Sequence, residues 1–265
     1  MPSVKLEVPI FTPVLPSLPA ATRLELSAPN SYPSGGLTPP LTPDLILALS
    51  APRPPLRVMI RPRPAPAPAS ASSPDRDPDF IYTPDELSAM LASIRSFKEH
   101  LDPSRDGFVF GVLALPPPDD GSGSGSRGPR LALDTEANVR LIWEAAPFPC
   151  TFHRAFDDLL GAGVPVATAV DDVLACGFDG VLTSGGPGNA IDNLGVLADL
   201  LRAVDGRMDV LVGGGVRAAN AERILGVLEG AERAWLHSSC LRAGGEEVDE
   251  GELRALADVI QGAAW

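Results

Sequence analysis

The residues in this chain best suited to chemistry fall where an apolar run gives out and a turn begins. His153 stands in Thr151-Phe152-His153-Arg154, with Asp157 three residues beyond Arg154. Imidazole titrates near neutrality, so His153 can serve as a general acid or base, or be a structural histidine hydrogen-bonded to that carboxylate. His237, opening His237-Ser238-Ser239, allows the same two readings. Arg61 and Arg63, split by Pro62, supply fixed cationic donors, and Arg154 adds a third. Gly213-Gly214-Gly215 leads into a helical pattern at Ala218. Three glycines there leave bare backbone N–H groups suited to an anion, or simply allow a tight turn. Ser184, Ser238 and Ser239 would bring hydroxyls to such an anion pocket. Glu7 and Glu25 lie in two early apolar runs. Facing one another they would raise one pKa, as a general acid or base needs; alternatively they neutralise Arg23, Arg61 or Arg63. Of the cysteines, Cys150 and Cys176 read as small core hydrophobes. Cys240 lies near the presumed site, and with His237 it makes a sparse soft-metal pair.

These residues need elements to hold them. Apolar runs suited to strands occur at about residues 4–8, 23–26, 56–60, 107–113, 148–153, 179–183, 209–212 and 233–237. From Asp79 onward each run is followed by a helical pattern. Thr83-Pro84-Asp85-Glu86 is a helix start, with an N-cap, a proline at the first helical position and a capping-box glutamate. Leu87, Met90, Leu91, Ile94 and Phe97 follow at helical spacing, and His100 reads as a solvated residue late in that helix. Further helices are expected from Asp134, over about 165–175, through Ile191–Val204, over Ala218–Leu228 and over Glu250–Ile260. Strand-then-helix repetition is the signature of parallel βαβ units, and eight of them predict one α/β domain over residues 1–265, a (β/α)8 barrel. The absence of G-x-G-x-x-G after the first strand weighs against a dinucleotide fold. In a barrel, polar residues at the strand ends converge on the C-terminal face, and the last two loops commonly form a phosphate-type pocket.

Composition narrows the classes. The chain has 265 residues, 45% hydrophobic, which suffices for one substantial core. A net charge of −13 argues against coating nucleic acid or an anionic membrane. Three scattered cysteines build neither a disulfide framework nor a zinc site, and no apolar run reaches membrane length. The expectation is a soluble, reduced, intracellular protein. Proline is uneven: residues 1–78 hold 19 of the 29, yet strand-like runs interrupt that segment, so it reads as the first part of the fold. Residues 62–78 form a Pro-rich insertion and 116–130 a Gly/Ser-rich one, each between a strand and a helix. They can be lids over the C-terminal face or tolerated surface insertions.

Taken in order, the motifs resemble a known family. E-L-S with G-G-L-T-P (Glu25–Ser27, Gly35–Pro39), V-M-I-R-P-R (Val58–Arg63), D-F-I-Y-T (Asp79–Thr83), T-F-H-R-A-F-D (Thr151–Asp157), L-T-S-G-G (Leu182–Gly186), G-G-G-V (Gly213–Val216) and H-S-S (His237–Ser239) look like the CutC copper-homeostasis family. The resemblance implies a (β/α)8 barrel, a cytoplasmic location, a role in copper handling, and homodimers or homotetramers in some members. It also implies cysteines in the first two strands of members associated with Cu(I). Here those positions are Pro9 and Ser27, neither of which supplies a thiolate, and Cys240 with His237 remain as candidate ligands. The short connection between the first two strands holds Pro13, Pro16 and Pro19, which would break a regular helix.

Three readings follow. One is a cytosolic copper-homeostasis protein that binds Cu(I). Another is a barrel enzyme of unstated reaction that holds a small anionic or phosphorylated molecule. The third is a paralogue that keeps the barrel without activity. A barrel by itself selects none of them.

Overall fold

The computed structural model describes residues 4–12, 18–64, 79–115 and 131–263. The proline-bearing stretch 13–17, most of the 62–78 insertion, the whole of 116–130 and Trp265 lie outside them. In chain order the elements are β1 (Lys5–Ile10), β2 (Arg23–Leu26), α1 (Pro43–Ser50), β3 (Leu56–Met59), α2 (Pro84–Lys98) and β4 (Gly107–Phe110). They continue with β5 (Leu113–Ala114), β6 (Ala132–Leu133), α3 (Thr135–Ala145), β7 (Cys150–Phe152), α4 (Ala155–Gly161) and α5 (Val166–Cys176). The rest are β8 (Gly180–Thr183), α6 (Leu194–Val204), β9 (Asp209–Val212), α7 (Ala218–Leu228), β10 (Ala234–His237) and α8 (Glu250–Gly262). Eight strands close a parallel barrel in the order β1-β10-β9-β8-β7-β4-β3-β2, with the helices outside: a (β/α)8 barrel.

Alternation along each strand sorts the side chains. Leu6, Val8 and Ile10 of β1, Leu24 and Leu26 of β2, and Val58 of β3 belong to the apolar cluster packed against the helices. The residues between them, Glu7, Arg23, Glu25 and Arg57, point the other way and are buried inside the barrel. Leu182, Leu211 and Trp235 form a separate apolar cluster there. Register makes the polar residues neighbours: Glu7 is opposite both Arg23 and His237, and Glu25 is opposite Pro9 and Arg57.

The end of the barrel where strands begin is tied by Asp106. Its carboxylate accepts two bonds from Arg53, at 2.8 and 2.6 Å, and the backbone N–H groups of Leu56 and Asp102, each at 2.9 Å. Those contacts join the start of β3 to the turn before β4.

Three sequence expectations change in detail. The run expected as one strand over 107–113 is β4 followed by a separate β5, which leaves the barrel after Gly111 and pairs antiparallel with β6. The histidine expected late in a helix, His100, lies just past the end of α2 and is half-buried. An unexpected short helix, α4, precedes α5 in the connection from β7 to β8. The capping box is as the sequence reads it: Thr83 Oγ1 accepts from Glu86 N–H, and Glu86 accepts from Thr83 N–H. Between β1 and β2 the described residues form no helix.

At the opposite, C-terminal end two distant loops are clasped. The Glu246 carboxylate accepts the Asn30 N–H at 2.5 Å and the Tyr32 N–H at 2.8 Å, joining the β10–α8 loop to the β2–α1 loop.

Candidate functional site

The C-terminal face opens into a cavity of about 780 Å³. Of the residues singled out from sequence, Glu25, Arg61, His153, Arg154, Asp157, Gly214, Gly215, His237, Ser238 and Ser239 line it. Glu7, Arg63, Ser184, Gly213 and Cys240 do not.

Beneath the cavity lies a chain of charges. Glu7 takes the Arg23 Nε–H on one carboxylate oxygen and meets His237 Nδ1 at 2.9 Å with the other. Arg23 lies 4.0 Å over the Trp235 ring, a cation–π contact that helps an arginine tolerate burial. Burial alone would raise the Glu7 pKa, but the Arg23 guanidinium and then His237 hold it down to about 2. For His237, burial opposes the charged form, yet Glu25 and Glu7 outweigh it and raise the pKa. Glu25 goes the other way: burial first, with repulsion from Glu7, pushes it up to about 7 although His237 and Arg23 pull it down. Glu7 neutralises Arg23, and Glu25 titrates near neutrality, with Oε2 buried and unpartnered among the described residues.

His153 follows β7 and is buried at the cavity wall. Its Nδ1 accepts the Ala155 N–H, the first of α4, at 3.2 Å. A ring nitrogen that accepts carries no proton, so the neutral ring is protonated at Nε2. Burial, followed by the nearby Arg61, lowers its pKa to about 3. Its ring packs against Phe80 at 4.5 Å between centroids. Gly111 lies behind it, where a Cβ would come within 2.8 Å of Nδ1.

The carboxylate that sequence sets beside His153 is used elsewhere. Asp157 accepts from Arg154 Nε at 2.7 Å, Thr183 Oγ1 at 2.5 Å, Ser184 N at 3.0 Å and Gly186 N at 3.1 Å. It is a buried anchor for the β8–α6 turn and is spent there rather than on His153. Ser184 belongs to the same anchor: its hydroxyl receives Arg154 Nη2 at 2.8 Å and reaches the Gly186 carbonyl at 2.6 Å. Arg154 is thereby held in one place while 44% of its side chain stays exposed at the cavity.

Arg61 donates to the Ser34 carbonyl and to Asp79 Oδ2 at 2.8 Å. Arg63 turns outward to Glu86, at 2.8 Å, and stacks on Tyr82. Gly214 has φ +89, and a Cβ there would lie 2.8 Å from Ser184 Cβ; Gly213 gives room to Leu182 and His237. Gly214 and Gly215 thus form cavity wall while also allowing the turn. The Ser238 hydroxyl already donates to the Val216 carbonyl at 2.7 Å, so it braces the loop before α7. Sequence reasoning missed Arg217 and Asp79, both on the cavity wall. Each follows directly on a motif or opens one, G-G-G-V and D-F-I-Y-T, which was the available signal.

A soft-metal centre does not fit these residues. Cys240 is buried away from the cavity, with Sγ 3.4 Å from Ser238 Oγ, and burial raises its thiol pKa. Pro9 lines the cavity, and Ser27 is buried against Gly36. Among the described residues, the group of three or more potential ligands that lies within 4.8 Å is Glu7, Glu25 and His237. Its donors are oxygen and nitrogen, whereas Cu(I) favours sulfur, and both Glu7 oxygens are already engaged.

A model of the CutC family matches residues 14–240. The chain is 34% identical to the copper homeostasis protein cutC homolog of Homo sapiens over 219 residues, 83% of this chain and 66% of that protein. It is 31% identical to the corresponding Caenorhabditis elegans homolog, covering 83% of this chain and 72% of that one. With the family protein CutC of Porphyromonas gingivalis the identity is 33%, over 78% and 68% of the two chains. The alignments thus span about two thirds to three quarters of these relatives. Among solved structures, the CutC protein of Streptococcus agalactiae superposes with a TM-score of 0.64 at 24% identity, over 88% of this chain and 98% of that one. A structure titled native KDPGal reaches 0.51 at 13% identity, over 98% and 95%, a likeness of fold alone.

Proposed function

The chain belongs to the CutC family, and from that premise we propose that its barrel mouth is a binding site for a small anionic molecule. One observation carries the reading. Arg61, Arg154, Arg217 and a His237 that favours its proton border one cavity; carboxylates border it too, but Asp79 holds Arg61 and Asp157 holds Arg154, and Arg154 keeps 44% of its side chain exposed there. A guanidinium fixed along one edge by a carboxylate presents its remaining N–H groups to an anion, and such pre-held groups bind one without first being ordered.

Copper homeostasis is the role stated in the names of the curated relatives. For this chain we read it as a cytoplasmic role exercised without a thiolate Cu(I) centre in the mouth. Pro9 and Ser27 supply no sulfur, and Cys240 lies off the cavity as a protonated thiol.

The test is calorimetric titration with inorganic phosphate, beside an anaerobic Cu(I) competition on wild type and Cys240→Ser. The expected result is one phosphate per chain, weakened about tenfold or more in Arg154→Ala, with Cu(I) affinity the same in both proteins. Tight stoichiometric Cu(I) binding lost in Cys240→Ser, without phosphate binding, would overturn the proposal.

A further inference from the structure

Three buried polar atoms at the cavity wall have no partner among the described residues: Arg61 Nε, His153 Nε2 and Glu25 Oε2. A buried polar group without a hydrogen bond is destabilising, and such groups at a cavity wall are held ready for a ligand. The last two have complementary chemistry. The Ala155 N–H occupies Nδ1, which leaves His153 a neutral donor through Nε2. Phe80 and the close backbone at Gly111 hold the ring in that orientation. Glu25 offers a carboxylate oxygen. A helix-start N–H holding an imidazole neutral so that it polarises a carbonyl, with a carboxylate as base, is a known arrangement for removing a proton beside that carbonyl.

We propose that the site acts on a small carbonyl compound carrying an anionic group, with His153 Nε2–H donating to the carbonyl oxygen and Glu25 moving a proton at the adjacent carbon. This deepens the anion-site reading above and rests on it. In the forward step the Glu25 carboxylate takes the proton from the carbon next to the carbonyl. The C–H electron pair becomes the new C=C bond, and the carbonyl π pair moves onto oxygen, where the His153 N–H meets it. Where the carbon that lost the proton carries a hydroxyl, the hydroxyl proton passes to the new oxyanion and Glu25 returns its own proton to the former carbonyl carbon, so that the carbonyl and the hydroxyl exchange places. The product is an isomer; there is no net oxidation or reduction, and no second reactant enters. The anionic end of the compound lies against Arg154 and the backbone of Gly214 and Gly215. No thiolate takes part.

The test compares two probes on the full chain: inorganic phosphate, and 2-phosphoglycolate, whose planar carboxylate imitates the enediolate formed by proton loss. The 15N signals of His153 are followed during each titration. We expect 2-phosphoglycolate to bind about tenfold or more tighter than phosphate, to move the Nε2 signal where phosphate does not, and to lose its advantage in His153→Leu. If both probes bind equally and Nε2 stays unmoved, this inference falls while the anion site stands. If neither binds, the anion site falls and this inference falls with it. The Nε2 signal is read in wild type, so a His153→Leu chain that fails to fold leaves the test intact.

Discussion

A carboxyl group that titrates near 7 inside a barrel ties stability to pH in an unusual direction. The folded Glu25 pKa stands above its ordinary 4.5, at about 7. The folded state therefore binds more protons than the unfolded one between those values, and stability falls as pH rises through that window. Glu25→Gln has no such titration. Across roughly pH 5 to 8, its melting temperature relative to wild type should climb with pH, and a gap that stays flat would contradict the assignment. His153 has the opposite sign. Its folded pKa, about 3, lies below the usual 6.5, so its contribution is lost as pH falls from 6.5 towards 3. Asp157 acts at the same scale through its hydrogen bonds. Four donors, Arg154 Nε, Thr183 Oγ1, Ser184 N and Gly186 N, hold its two oxygens, and Asp157→Asn would set an amide N–H₂ against several of them. Denaturant unfolding should show a loss of about 3 kcal/mol. What the sequence hid at this scale is the partner of each charge. Glu7 and His237 lie 230 residues apart and meet because β1 closes on β10; no spacing argument contains that pairing.

At the level of elements, legibility follows local signals. The start of α2 could be read because Thr83, Pro84 and Glu86 each satisfy a helix-terminus requirement within four residues. Thr83→Ala removes the side chain that accepts the Glu86 N–H and should reduce stability by about 1 kcal/mol in urea unfolding. The helix α4 carries no such signal. Its N-cap is Arg154, which makes no side-chain cap, and the helix is 7 residues long, too short to show periodicity. The brief hairpin of β5 and β6 was equally unreadable, since two-residue strands leave no alternation to count. It has a practical use. Leu113 and Ala114 pair with Leu133 and Ala132, so the ends flanking residues 116–130 already lie side by side. Replacing that segment by a short glycine-containing turn should shift the melting temperature by no more than about 2 °C. A larger drop in a thermal scan would assign the segment a structural part.

Over the whole molecule the two ends of the barrel divide the work. Near the start of β3, Asp106 and Arg53 form a doubly bonded pair far along the strands from the cavity, and neither lines it. At the other end Arg154 reaches the cavity while its own anchor, Asp157, stays buried. The expected outcome is a double dissociation. Asp106→Ala should lower stability by about 3 to 5 kcal/mol and leave phosphate affinity unchanged where the chain is folded. Arg154→Ala should weaken phosphate and change stability by less than about 1 kcal/mol. Titration and denaturation of the same two variants decide it, and a variant that moves both quantities alike would erase the division. The barrel itself was open to sequence reading because eight strand–helix alternations are a global pattern that survives errors at any one boundary. The clasp at the mouth was not, and it has a consequence for how such a chain can change over time. Glu246 holds the backbone of Asn30, 216 positions earlier, and of Tyr32. An insertion in either loop must be answered in the other, so two segments remote in the gene are bound to drift together, and transplanting one loop from a relative succeeds when its counterpart travels with it.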